Sequence, residues 1–166
     1  MIVMEKSIIA FVPIIMGSKA DLEHAQAIAN ALHGYGIASE IRVASAHKAA
    51  RYLLDLLAAY EADPTPKVYI TVAGRSNALS GMVDANVAAP VIACPPYSDR
   101  FGGADLFSSL RMPSGVAPGV VLEPAGAALL AAKILAVADP ALRERIVEAQ
   151  AAATQQIISD DRLVSG

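Results

Sequence analysis

The sequence predicts an α/β protein, a doubly wound parallel sheet of five strands in a three-layer arrangement with an additional C-terminal helix. Two observations carry this prediction. Short β-branched runs alternate with longer stretches whose apolar residues recur at the helical period, and glycine, serine or proline marks each junction, which is the rhythm of βαβ units. The length, 166 residues, supports one domain with a real core but not two of ordinary size. No repeat, low-complexity linker or shift in composition divides the chain, so residues 1–166 read as a single domain.

Strands are expected at residues 9–16, 38–44, 68–72, 90–93 and 119–122. Between the first two, residues 20–35 place Leu22, Ala25, Ile28, Ala29, Leu32 and Tyr35 on one helical face, at the 3.6-residue period. Leu53, Leu54, Leu57, Ala58 and Glu61 mark a second helix, residues 78–85 a third and residues 104–110 a fourth. The alanine-rich stretch 125–138 forms a fifth, which Asp139-Pro140 ends or kinks, because proline has no amide proton and its ring obstructs the preceding turn. A terminal helix over 140–159 follows, with Leu142, Ile146, Ala149, Ala153 and Ile157 along one stripe. Right-handed crossovers then bring every βα loop to one end of a flavodoxin-like sheet, where ligands bind in such folds.

Hydrophobic residues make up 55% of the chain and charged residues 17%, with a mean hydropathy of +0.46. Such a chain buries enough apolar surface to offset its ordering entropy, which excludes disorder. The greasiest stretch, 116–138, is interrupted by Pro118, Gly119, Glu123, Pro124, Gly126 and Lys133, so it lacks the run of about 18 apolar residues that spans a bilayer. The N-terminal residues show no signal-peptide layout, and a cytoplasmic location is expected. A net charge of −3 provides no global field for nucleic acid or anionic lipid. The excess of apolar surface is instead expected to be covered by further copies of the chain, with the 140–159 helix packing on neighbouring subunits. The single cysteine, Cys94, excludes an intramolecular disulfide and a multi-cysteine zinc site, and reads as a small buried hydrophobe.

Three loops carry candidate chemistry. After the first strand, Met16-Gly17-Ser18-Lys19-Ala20-Asp21 offers a close turn and a helix start, where free amides and the dipole favour phosphate. Ser18 and Asp21 also have the spacing of a capping box, and both readings stand. The spacing is not that of a Walker motif. The second loop, Ala44-Ser45-Ala46-His47-Lys48, presents an imidazole suited to proton transfer near neutral pH beside an anion-pairing lysine. His24 and His33 fall within the first helix and are expected on its solvated side; without acidic or cysteine partners at ligand spacing, no metal site is expected. The third loop places Gly74, Arg75, Ser76 and Asn77 at a helix start. Together the loops describe a pocket for a small phosphorylated molecule with histidine as its evident proton carrier.

In this order, and continuing through Cys94-Pro95-Pro96 and Ser108-Ser109-Leu110-Arg111-Met112-Pro113-Ser114-Gly115, the motifs resemble the PurE-type aminoimidazole ribonucleotide (AIR) carboxylases of purine biosynthesis. The resemblance covers about residues 12–138. Lys48 after His47, and a third loop without histidine, resemble class II of that family, which carboxylates AIR directly with CO2. Class I, the N5-carboxyaminoimidazole ribonucleotide mutase, has arginine after the histidine of the second loop and a longer glycine-rich third loop with another histidine. Ala49-Ala50 stands where the family often has a proline.

The resemblance implies an enzyme, a carboxy-lyase that forms 4-carboxy-5-aminoimidazole ribonucleotide without ATP, biotin or metal, and hence without a cofactor. It implies His47 as general base, with Ser18, Asp21, Ser45, Lys48, Gly74 and Ser76 binding the nucleotide and Arg75 and Asn77 as contacts to the carboxylate or CO2. It further implies a homo-octamer, with a tetramer as the alternative. The competing readings are the class I mutase and a noncatalytic nucleotide-binding module. Thr71, Val72 and Ala73 at the end of the third strand leave no phosphoacceptor aspartate for a response regulator.

Overall fold

In the computed structural model, which describes residues 10–165, β1 (Phe11–Met16), β2 (Ala38–Val43), β3 (Tyr69–Val72), β4 (Val91–Ala93) and β5 (Gly119–Val120) form one sheet in the order β2-β1-β3-β4-β5. Every pairing is parallel. The order reverses direction between β1 and β3, which places the topological switch point there. Residue 9, expected to begin the first strand, and the N-terminal segment read for a signal peptide lie outside the described residues.

Alternation along the central strands divides the core between two faces. Val12, Ile14 and Met16 of β1, with Ile70 and Val72 of β3, pack against Ala25, Ile28 and Leu32 of α1 (Leu22–Gly34) and against α5 (Pro124–Leu135). Ile15 and Tyr69 point the other way, toward Leu53, Leu56 and Leu57 of α2 (Ala50–Glu61) and Leu79 and Val83 of α3 (Ala78–Asp84). Ala127, Ala128, Ala131 and Ala132 are fully buried; their small side chains let α5 lie close against α1. This accounts for much of the alanine content without recourse to another chain.

The helix expected over 125–138 ends at Leu135, before Asp139-Pro140, and the pair begins the next helix. Asp139 Oδ1 accepts the Leu142 amide at 3.0 Å, so the pair caps the last helix, with Pro140 at its first position, where a missing amide proton costs nothing. That helix, labelled α6 because a short α4 (Phe107–Leu110) precedes α5, is Pro140–Ser165 and runs past the expected end at 159. Leu142 and Ile146 are buried, and Arg145 Nε donates to the Tyr35 carbonyl at 2.9 Å. From Val147 onward every described residue of α6 is exposed.

Other elements also depart from their expected bounds. The fifth strand stops at Val120, although the Val121 amide still reaches the Ala93 carbonyl at 3.0 Å. The helix expected over 104–110 divides into a 3-10 turn, Ala104–Leu106, and α4. Among the described residues no helix is long and apolar enough to cross a membrane.

Candidate active site

The three loops predicted to carry chemistry converge at the carboxyl ends of β1, β2 and β3, around a cleft of about 1070 Å³. Ser18, Asp21, Ser45, His47, Lys48, Gly74, Arg75 and Ser76 all line it. Their convergence follows from the parallel topology, which delivers each βα loop to the same edge.

In the first loop, Ser18 caps a 3-10 turn, Lys19–Asp21, by accepting the Ala20 amide at 3.2 Å. Asp21 stands at the start of α1 but forms no capping bond with its side chain, so the capping box is absent and the carboxyl faces the cleft. Burial pushes its pKa above the usual aspartate value, against the opposing pull of His24 and then Arg75.

In the second loop, Ser45 Oγ accepts the Lys48 amide at 3.2 Å and the Ser45 carbonyl accepts the Ala49 amide at 2.9 Å. These bonds fold the segment into a turn that leaves His47 and Lys48 exposed to the cleft. Arg42, on the neighbouring β2, is engaged elsewhere, with Glu40 at 3.1 Å and the Tyr52 hydroxyl at 2.9 Å.

The third loop corrects one expectation. Asn77 is buried; its Oδ1 accepts the Ser80 amide at 3.1 Å as the cap of α3, and its Nδ2 donates to Ser109 Oγ at 2.9 Å. Each end of the side chain holds a structural hydrogen bond, and Asn77 is not among the residues that line the cleft. At Gly74 a Cβ would meet nothing closer than 3.7 Å, so packing within the chain does not itself require glycine there. The unusual backbone is at Arg75, with φ of 58°.

His24 is a second correction. It is half-buried and lines the cleft rather than facing solvent. Its Nε2 lies 3.1 Å from the Cys94 carbonyl and 3.3 Å from Cys94 Sγ. A carbonyl only accepts, so the contact to it is a hydrogen bond in the tautomer with the proton on Nε2. The i,i+3 spacing from Asp21 was the available signal, since it puts both residues on one helical face. His33 is exposed, as expected. Asp105, Ser98 and Arg100 also line the cleft; they come from the long β4–β5 connection, and no local pattern ties them to the other loops. Among the described residues, no group of three or more histidine, cysteine, aspartate or glutamate residues is arranged to hold a metal ion.

Cys94 is buried as predicted, and burial, reinforced by Glu123, pushes its thiol up to about 12.

Residues 11–156 match the family described as AIR carboxylase. The phosphoribosylaminoimidazole carboxylase of Archaeoglobus fulgidus is 54% identical over 148 residues, covering 89% of this chain and 81% of that protein. The protein of the same name from Treponema denticola is 52% identical over 148 residues, covering 89% and 93% respectively. The crystal structure of Treponema denticola PurE superposes with a TM-score of 0.93 at 50% identity, covering 95% of this chain and 99% of that one. Likeness of this extent runs through all three cleft loops, and the chain belongs to the AIR carboxylase family.

Proposed function

We propose that this enzyme carboxylates AIR at C4 with CO2, reversibly, to give 4-carboxy-5-aminoimidazole ribonucleotide in purine biosynthesis. The observation that carries the reading is the position of His47, held by the Ser45 turn, opposite two further loops in one cleft. The aminoimidazole ring is an enamine, so its C4 attacks CO2 without activation by ATP, biotin or a metal. Attack leaves C4 tetrahedral, with the new carboxylate and its original proton. His47 then takes that proton as general base and aromaticity returns; in reverse it protonates C4 and CO2 leaves.

Ser18, Ser45 and Lys48 face the phosphate, Asp21 accepts hydrogen bonds from the ribose hydroxyls, and Gly74 and Ser76 complete the nucleotide site. Arg75 supplies positive charge for the carboxylate. The names of the two relatives and the cleft's histidines favour direct carboxylation over the N5-carboxy mutase. The third loop supplies no imidazole, and the second one in the cleft, His24, has its Nε2 bound to the Cys94 carbonyl.

The same proposal extends to the assembly. The chain works in the cytoplasm as a homo-octamer or tetramer in which α6 packs on neighbouring subunits. Support comes from Val147, Ile157, Leu163 and Val164, exposed apolar side chains on a helix whose described residues are all exposed from Val147 onward. Light scattering reads this directly: a monomeric mass at micromolar concentration contradicts it.

The activity is tested by supplying AIR with CO2 and, separately, the N5-carboxy compound, while following 4-carboxy-5-aminoimidazole ribonucleotide. Product from AIR and CO2 is the expected result. Turnover of the N5 compound alone would make the protein a mutase, and no turnover of either would leave a binding module.

A further inference from the structure

Arg75 is the one residue other than glycine, among the described residues, with a left-handed backbone, at φ 58°. Such a conformation persists in an L-residue only where its surroundings hold it. Here the hold comes from a segment 30 residues away in sequence. The Arg75 amide donates to Asp105 Oδ2 at 3.2 Å. Ser108, one turn beyond Asp105, donates its hydroxyl to the Asp105 carbonyl at 2.7 Å and accepts the Asn77 amide at 2.9 Å. The loop between β3 and α3 is thereby pinned on both sides of Ser76, and Gly74, Arg75, Ser76 and Asp105 all face the cleft.

We propose that Asp105 is a positioning residue for the nucleotide: by accepting the Arg75 amide it fixes the β3–α3 loop in the shape that binds AIR. The inference rests on the carboxylase reading of the cleft. Asp105 acts through a hydrogen bond that a carbonyl oxygen makes equally well, and this separates it from a residue needed for its charge. Asn offers that oxygen at the same position; Ala offers none.

The experiment compares Asp105→Ala and Asp105→Asn with wild type by steady-state kinetics and by amide hydrogen exchange. Asp105→Ala is expected to lose about tenfold in kcat/KM, chiefly through a higher KM for AIR, while Asp105→Asn stays within about threefold of wild type. Exchange at the Arg75 and Ser76 amides is expected to quicken by about tenfold in Asp105→Ala, with the β1 and β3 amides unaltered. Kinetics and loop exchange unchanged in Asp105→Ala overturn the proposal, and so does an Asp105→Asn variant as impaired as Asp105→Ala. Should Asp105→Ala fail to fold, Ser108→Ala removes the acceptor for the Asn77 amide; faster loop exchange with raised KM supports the proposal, and neither change overturns it. If wild type turns over no AIR, the carboxylase reading fails by itself, and loop exchange in the variants still decides whether Asp105 holds the loop.

Discussion

The Nε2 of His24, on the first turn of α1, lies 3.1 Å from the carbonyl oxygen of Cys94, just beyond the end of β4. This bond joins the first βα loop to the far side of the sheet's switch point and puts a second imidazole in the cleft beside Asp21. The two cleft histidines therefore differ in kind. His24 is held by a fixed partner, whereas His47 sits on an exposed turn open to substrate.

Replacing His24 with Ala is expected to destabilise the fold by about 1 kcal/mol, the net worth of one partly buried hydrogen bond. Because His24 does not carry the C4 proton in this account, the variant is expected to keep at least about a tenth of wild-type turnover. Urea unfolding and a steady-state assay check the two parts separately. Loss of a thousandfold or so in kcat would instead make His24 the proton carrier.

Asp21, proposed to bind the ribose, carries a cost to the fold. Its pKa is raised by burial, so the folded state disfavours the ionised form relative to the unfolded chain. The stability this group contributes is fully present below its ordinary value of 3.8 and is lost as pH rises through the higher folded value. Asp21→Asn is thus expected to melt above wild type at neutral pH, with the difference vanishing as pH falls below that ordinary value. The same variant is expected to bind AIR less tightly. Thermal melts across pH test the sign; a variant less stable than wild type at neutral pH contradicts it.

Asn77 serves the loop's structure rather than its ligand. Asn77→Ala removes the cap of α3 and the partner of Ser109 in a buried setting. The expected loss is about 2–3 kcal/mol, read as a lower urea midpoint with unchanged slope.

Cys94 is expected to be inert. With its thiol pushed up to about 12 and its side chain buried, the folded protein is expected to resist iodoacetamide at mildly alkaline pH and to react once unfolded in urea. Rapid labelling of the folded protein, followed by mass spectrometry, would contradict the burial described.

The sequence made the sheet legible because each strand is a short β-branched run and each helix an uninterrupted period. The three βα loops were legible for the same reason: topology alone sends them to one edge. Where reading failed, the cause was contact at a distance. Asn77 stands at a helix start, where capping of the Ser80 amide is a local pattern, but nothing local shows that Ser109 claims the other end of its side chain. Asp105 reaches Arg75 from another connection, a relationship invisible to any window of sequence. His24 is the instructive case, since its spacing from Asp21 was visible but its partner Cys94, just beyond β4, was not. The left-handed Gly102 and Gly103 account for the start of the helical segment at Ala104.

The most direct test of the central claim follows the decarboxylation of 4-carboxy-5-aminoimidazole ribonucleotide in D2O by proton NMR. Wild type is expected to release CO2 and form AIR carrying deuterium at C4. His47→Asn is expected to slow this by about a hundredfold to ten-thousandfold, the usual contribution of a positioned acid–base group, while AIR binding by calorimetry stays within about threefold. Deuterated AIR formed at the wild-type rate by the His47→Asn variant would contradict the assignment of His47 as the group that moves the C4 proton.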